Sequence, residues 1–229
     1  MNWKLMVKRS IPQPFLNRVL LTFPFLYRTK VVNYETNFLT DDIDDLLSQL
    51  DYVLPMEGNI IECGSSRCGA SIIMGNHLRS KHIPKKIYAC DSFEGFNPDE
   101  LEKEKAAGLT KATKNSFTST SYEYVKSKIK RLGLADTVIP VKGFFQDTLP
   151  GIKSKFCFAL IDCDLRDSIL YCAETLWPDL DKGARILFHD YTEEEFQGAR
   201  LAIDHFVDTY NKEIDEHGLL KNLYMVKKA

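Results

Sequence analysis

Short apolar runs recur along the chain, separated by amphipathic stretches, and most of the runs end in a polar or acidic residue. Asn59-Ile-Ile-Glu-Cys63, Lys86-Ile-Tyr-Ala-Cys-Asp91 and the segments 137–141, 156–162 and 184–190 read as buried strands, because continuous apolar runs of this length suit strands covered on both faces. Helical spacing lies between them. Thr40 is a plausible N-cap for a helix over 41–53, with acids in its first turn and Ile43, Leu46, Leu47 and Leu50 on one face. Further helices fall near 69–80, 121–132 (stripe Val125, Ile129, Leu132), 167–180 and 193–210, and a short strand near 220–227 closes the chain. Strand alternates with helix throughout, which predicts an α/β, Rossmann-like fold: an open, mostly parallel sheet of about seven strands, helices on both faces and right-handed crossovers.

Two segments break the pattern. The interval 92–118 is polar and carries Pro98, Gly108 and the charge run Asp99-Glu-Leu-Glu-Lys-Glu-Lys105; a stretch this long inside a compact domain reads as a lid or acceptor loop. Residues 1–35 form a basic and apolar arm ahead of a domain over 36–229. No apolar run in the arm reaches the length of a membrane span, and prolines at 12, 14 and 24 interrupt it. An arm packed on the body or on a second subunit, a membrane-surface or partner-binding segment, and a leader all remain open for it.

Length and composition add little to this picture, but charge does. Six of the 30 basic residues fall in the first 30 positions, where there is no acid, so the body holds 24 basic against 32 acidic residues. That balance disfavours nucleic acid as a partner of the body. The six cysteines include no C-x-x-C pair and mostly sit in apolar runs, as expected of reduced, buried thiols in a cytoplasmic protein.

In an open parallel sheet the C-terminal strand ends line one crevice, so Glu62, Asp91, Asp162 and the pair His189-Asp190 should converge there. After Glu62 the chain runs Cys-Gly-Ser-Ser-Arg-Cys-Gly-Ala-Ser71, a turn into a helix in which Gly64 permits close backbone approach and Ser71 adds a hydroxyl. The G-x-G-x-x-G spacing of a pyrophosphate site is missing, and an acid before the first glycine suits a cationic or hydroxyl-bearing ligand instead. Asp91 is placed to accept from ribose hydroxyls, with Ser65 and Ser92 as small polar neighbours in the candidate set; Phe145 and Gln146 follow the third strand, placed to cover and hydrogen-bond an adenine.

The chain resembles the macrocin O-methyltransferase (TylF-type) family of class I S-adenosylmethionine-dependent methyltransferases. The resemblance rests on Glu62 through Ser71, Asp91-Ser-Phe-Glu-Gly95, Gly143-Phe-Phe-Gln-Asp-Thr-Leu-Pro150, Ile161-Asp-Cys-Asp-Leu165 and Gly183 through His189-Asp190-Tyr191, and spans residues 36–210. It implies an S-adenosylmethionine cofactor with Glu62, Gly64 and Ser71 around the methionine part, Asp91 at the ribose and Gln146 near the adenine. It also implies methyl transfer to a hydroxyl of a small molecule such as a sugar of a glycoside, a homo-oligomer, and a divalent metal, usually Mg2+, held by carboxylates at the ends of the fourth and fifth strands.

Three positions depart from that family pattern. His189 stands where an acid is usual, Arg166 where an aromatic is usual, and Cys68 where a glycine is usual. Asp162, His189 and Asp190 form the candidate metal set, yet an imidazole shifts such a site from magnesium toward softer ions. The other readings are His189 as a general base without a metal, and a non-catalytic cofactor-binding relative. Asp164 is a candidate base, an outer partner of Asp162, or a helix cap.

Overall fold

The computed structural model describes residues 36–229; the predicted arm over 1–35 lies outside the described residues, and positions 36–39 lead into the first helix. In chain order the elements are α1 (Thr40–Val53), β1 (Asn59–Cys63), α2 (Gly69–Ser80), β2 (Ile87–Asp91), α3 (Pro98–Ala106), α4 (Tyr122–Arg131), β3 (Val138–Lys142), α5 (Phe145–Thr148), β4 (Phe156–Ile161), α6 (Arg166–Leu176), β5 (Arg185–Phe188), α7 (Gln197–Tyr210), β6 (Ile214–Leu220) and β7 (Leu223–Lys228). The seven strands lie in the order β3-β2-β1-β4-β5-β7-β6. β1 to β5 are parallel, and β7 runs antiparallel between β5 and β6. The chain order reverses between β1 and β4. That reversal opens a crevice at their C-terminal ends.

Period-two alternation divides the core into two layers. Ile60, Ala89, Phe158, Leu160 and Leu187 face α1, α2 and α4, where Leu46, Leu50, Ile72, Met74 and Ile129 meet them. Ile61, Cys63, Ala159, Ile161, Ile186 and Phe188 face α6 and α7, against Ile169, Leu176, Ile203 and Phe206. Each fully buried aliphatic side chain contributes about 1.5–3 kcal/mol, which sets the register of every strand because a slip of one residue would exchange the side chains of the two layers and spoil both packings. Among the described residues no helix is long and apolar enough to cross a membrane.

The structure adds to the predicted elements in several places. α1 begins at Thr40 itself, preceded by Leu39, whose N–H is taken at 2.7 Å by the Asp42 carboxylate. The last helix starts at 197 rather than 193 because residues 191–195 form a turn and bends and Phe196 bridges to Thr110. The single short strand expected near 220–227 is the second arm of a hairpin, β6–β7. The polar 92–118 interval contains α3, capped by the Asn97 side chain accepting from Asp99 N at 3.0 Å, with Pro98 in its first turn.

Candidate active site

The crevice between β1 and β4 is a cleft lined from the ends of all five parallel strands. Glu62, Gly64 and Ser65 reach it from β1 and the following turn, and Asp91 and Ser92 from the end of β2. Asp162 and Asp164 follow β4, His189 and Asp190 follow β5, and Phe145 opens α5 after β3. Ser71 and Gln146 do not line it. The Ser71 hydroxyl donates to Glu62 Oε2, and Gln146 Nε2 donates to Glu100 Oε1 at 3.0 Å, which turns that amide toward α3.

Glu62 lies under the turn because alternation places it on the α2 face of β1, where it is 2% exposed. Burial raises its pKa to about 8; the Ser71 hydroxyl opposes this, and Asp162 and Asp91 add to it. Its ideal partner is therefore a cation. Gly64 adopts φ +92°, and a Cβ there would sit 1.8 Å from the Asp162 carbonyl oxygen, so β1 and β4 can close on each other only at a glycine. Asp91 accepts from Ser66 N at 2.8 Å and Phe93 N at 2.6 Å, which fixes its carboxylate at the cleft floor while lone pairs remain for a ligand.

The second half of the site is a cluster. His189 Nδ1 lies 3.1 Å from Asp162 Oδ1 and 2.5 Å from Asp190 Oδ1. Neither contact has hydrogen-bond geometry, and His189 Nδ1 and Asp190 Oδ2 are buried without a hydrogen-bond partner. Ligand atoms of Asp162, His189 and Asp190 all lie within 4.8 Å of one another. Burial pushes Asp162 up to about 6, with His189 opposing and Asp190 reinforcing. Asp164 is raised well above the carboxylate range by burial and by Asp190 and Asp162. His189 is raised because the pull of the two carboxylates outweighs its desolvation. Asp164 and Asp190 both hold left-handed backbone, φ +65° and +63°. Such strain in non-glycine residues collects at functional sites. Buried, unsatisfied and mutually repelling oxygens beside a ring nitrogen form a donor set that fits a divalent cation.

Sequence reasoning missed part of the lining. Thr36 and Asn37 border the cleft from the segment before α1, and Phe38 stacks flat on the His189 ring with centroids 4.7 Å apart and planes 10° from parallel. Phe96, Asn97, Phe117 and Ser119 come from the predicted lid segment and its continuation, and Arg67 from the β1–α2 turn. Phe96 and Phe117 pack edge to face at 5.2 Å and both pack on Phe196, at 6.0 and 6.3 Å. A cationic residue amid Ser66, Cys68 and Gly69 was the one signal available for Arg67. The lid aromatics carried none. α3 is latched by acids: Glu100 accepts from Ser168 Oγ at 2.5 Å, and Glu104 accepts from Arg166 N at 2.8 Å, at the N-terminus of α6.

An open parallel sheet with this strand order, an acid-then-glycine turn at the reversal point and acids ending the neighbouring strands define a class I methyltransferase. Residues 41–219 match the family model of the macrocin-O-methyltransferases (TylF), so the chain belongs to that family and is an S-adenosylmethionine-dependent O-methyltransferase. Among solved structures, the O-methyltransferase NovP superposes with a TM-score of 0.72 at 18% identity, covering 94% of this chain and 97% of its own. The calicheamicin methyltransferase CalS11 gives 0.68 at 18% identity, covering 92% and 89%. The Podospora anserina methyltransferase PaMTH1, bound to S-adenosylhomocysteine, gives 0.57 at 13% identity, covering 96% and 89%. At these identities the likeness is one of fold. None of the curated proteins matches this sequence.

Proposed function

We propose that the enzyme methylates a sugar hydroxyl of a small-molecule glycoside or nucleotide sugar, with a divalent cation held by Asp162, His189 and Asp190. The carrying observation is the cluster itself: ligand atoms of three residues within 4.8 Å of one another, with His189 Nδ1 and Asp190 Oδ2 buried and without a hydrogen-bond partner, beside the β1–α2 turn. NovP is described as an O-methyltransferase and CalS11 as a calicheamicin methyltransferase, and one CalS11 structure is described as a TDP-rhamnose 3'-O-methyltransferase. The aromatic faces of Phe96 and Phe117 in the cleft suit the apolar face of a pyranose.

In this reading Glu62 holds the cofactor's ammonium, Asp91 the ribose hydroxyls, and Phe145 one face of the adenine. A divalent cation at the cluster would supply positive charge that eases loss of the acceptor proton. The acceptor oxygen attacks the methyl carbon in line with the carbon–sulfur bond; the O–C bond forms, the C–S bond breaks to leave S-adenosylhomocysteine, and the proton passes to Asp164, whose carboxylate lines the cleft with Asp162 and Asp190. His189 alone is a poor base. Flanked by two carboxylates that raise its pKa, it favours its protonated form, and a cation at the cluster would have to displace that proton, so cation binding should tighten as pH rises.

The test is a panel of nucleotide sugars, glycosides and catechols incubated with S-adenosylmethionine plus Mg2+, Mn2+ or EDTA, read by mass spectrometry. Methylated sugars that disappear with EDTA are expected, with Mn2+ at least as effective as Mg2+ because one ligand is an imidazole. Methylation of catechols alone, or turnover indifferent to EDTA, would reject the proposal.

A further inference from the structure

The chain passes His189 on its way into α1. Phe38, 2% exposed, stacks on the His189 ring, while the next residue, Leu39, is 54% exposed and buries too little to anchor the segment. A hydrogen-bonded acid anchors it instead. Asp42 Oδ2 accepts from Leu39 N at 2.7 Å, the reach that an acid in a helix's first turn makes back to the residue ahead of the helix. Its other oxygen, Oδ1, accepts from Asn222 Nδ2, also at 2.7 Å. Asp42 is 2% exposed, so each of these bonds satisfies an acceptor that water does not reach freely.

Asn222 lies 180 residues further along the chain, in the turn of the β6–β7 hairpin. Topology brings it to this place. β7 runs antiparallel to β5 with Tyr224 opposite Phe188, so the hairpin turn stands at the end of β5 from which His189 and Asp190 emerge. The neighbouring Lys221 ammonium lies 3.4 Å from Asp41, an exposed pair that adds little. One buried carboxylate thus ties together the two segments, 36–39 and 221–222, that meet beside the His189 end of the sheet, although neither Asp42 nor Asn222 lines the cleft.

We infer that Asp42 is a positioning residue for His189: it pins the Phe38 segment to the β6–β7 turn and so steadies the face on which the imidazole lies. An imidazole that binds a metal owes its orientation to an outer partner, commonly a hydrogen-bond acceptor, and loss of that partner costs about 10- to 100-fold in affinity. Here the outer partner is the Phe38 ring, braced from behind by Asp42 and Asn222. The consequence for metal rests on the reading of Asp162, His189 and Asp190 as a cation site; the brace itself does not.

The experiment reads the imidazole by NMR of metal-free protein carrying labelled histidine, with the His189 signals identified by their absence in His189→Gln. Protons over the face of a phenylalanine are moved upfield by its ring current. Asn222→Ala and Asp42→Ala are each expected to move the His189 signals back downfield, toward their place in Phe38→Leu, and to weaken Mn2+, followed by electron paramagnetic resonance, about 10-fold. Asp42→Asn combined with Asn222→Asp keeps both bonds, the amide then donating to the carboxylate, and should restore both readouts. Urea midpoints confirm that each variant is folded. Signals that stay in place in both alanine variants while only the urea midpoint falls would overturn the proposal by reducing Asp42 to a helix cap. Signals that move while Mn2+ binds as before would uphold the brace and remove His189 from the cation site. A wild-type protein that takes up no Mn2+ would overturn the cation reading alone, and the resonances would still decide the brace.

Discussion

Gly64 and Asp162 touch backbone to backbone: a Cβ on residue 64 would stand 1.8 Å from the Asp162 carbonyl oxygen, closer than any side chain can be placed. The contact joins the β1–α2 turn to the first member of the acidic cluster, and Asp162 N donates to Cys63 O at 2.8 Å just beside it. Gly64→Ala should therefore cost about 3 kcal/mol or more, combining a φ of +92° that alanine resists with a backbone clash. A urea midpoint and loss of S-adenosylhomocysteine binding by calorimetry would check it.

Phe38 stacks on His189. Its ring, 2% exposed, covers one face of the imidazole, and a flip of that imidazole would exchange Nδ1 for a carbon beside Asp162 and Asp190. Phe38→Leu keeps apolar volume and should cost less than about 1.5 kcal/mol, yet weaken Mn2+ binding about 10- to 100-fold, as loss of a ligand's supporting contact does. Manganese titration followed by electron paramagnetic resonance separates the two effects. Unchanged Mn2+ affinity would show that the stack does not orient the ring.

Proton release on cofactor binding follows from Glu62. Its pKa near 8 in the free protein, against an ordinary 4.5, means that the folded chain keeps a proton which the unfolded chain sheds above 4.5. The stability from this group is fully present below pH 4.5 and is lost as pH rises through 8. A bound ammonium reverses the preference and favours the carboxylate, so binding S-adenosylhomocysteine at pH 7 should release about one proton per site. Calorimetry in buffers of different ionisation enthalpy measures it directly. Glu62→Gln should abolish the release and make the free protein more stable than its parent above pH 8.

The latch of α3 predicts a coupling. A Cβ on residue 198 would fall 2.3 Å from Glu104 Oε1, so Gly198→Ala should cost about 1–3 kcal/mol by pushing that carboxylate off the α6 N-terminus. In the Glu104→Ala background the same substitution should cost much less. A double-mutant cycle on urea midpoints reads the difference, and strict additivity would mean the two positions do not press on each other.

What the sequence made legible was what burial on both faces dictates. β1 falls on its expected residues, 59–63, because only a strand covered from both sides tolerates such a run, and the acids at successive strand ends share a cleft because parallel topology leaves them nowhere else to go. The helix α3 was hidden because its buried face is Glu100, Leu101 and Glu104, and acids count as polar in any reading of periodicity. They are buried only because Ser168, Gln146 and the start of α6 meet them, partners distant in sequence. Asn97-Pro98-Asp99-Glu100 was nevertheless a readable helix start. β6 was hidden for a different reason: Ile-Asp-Glu-His-Gly-Leu-Leu is a largely exposed edge strand without alternation, specified by its hairpin partner rather than by a core. Phe38 and Arg67 are single residues whose roles depend on contacts no local pattern encodes.

The crossing of residues 104 and 198 has a consequence for redesign. The 92–118 segment that borders the cleft is also fastened at its far end, where Gln197 N donates to Leu109 O at 3.0 Å and Phe196 meets Thr110, Phe96 and Phe117. A transplant of residues 92–118 from another enzyme, made to alter which hydroxyl is methylated, will seat only if positions 196–198 travel with it, since the recipient's own residues there were shaped to a different guest.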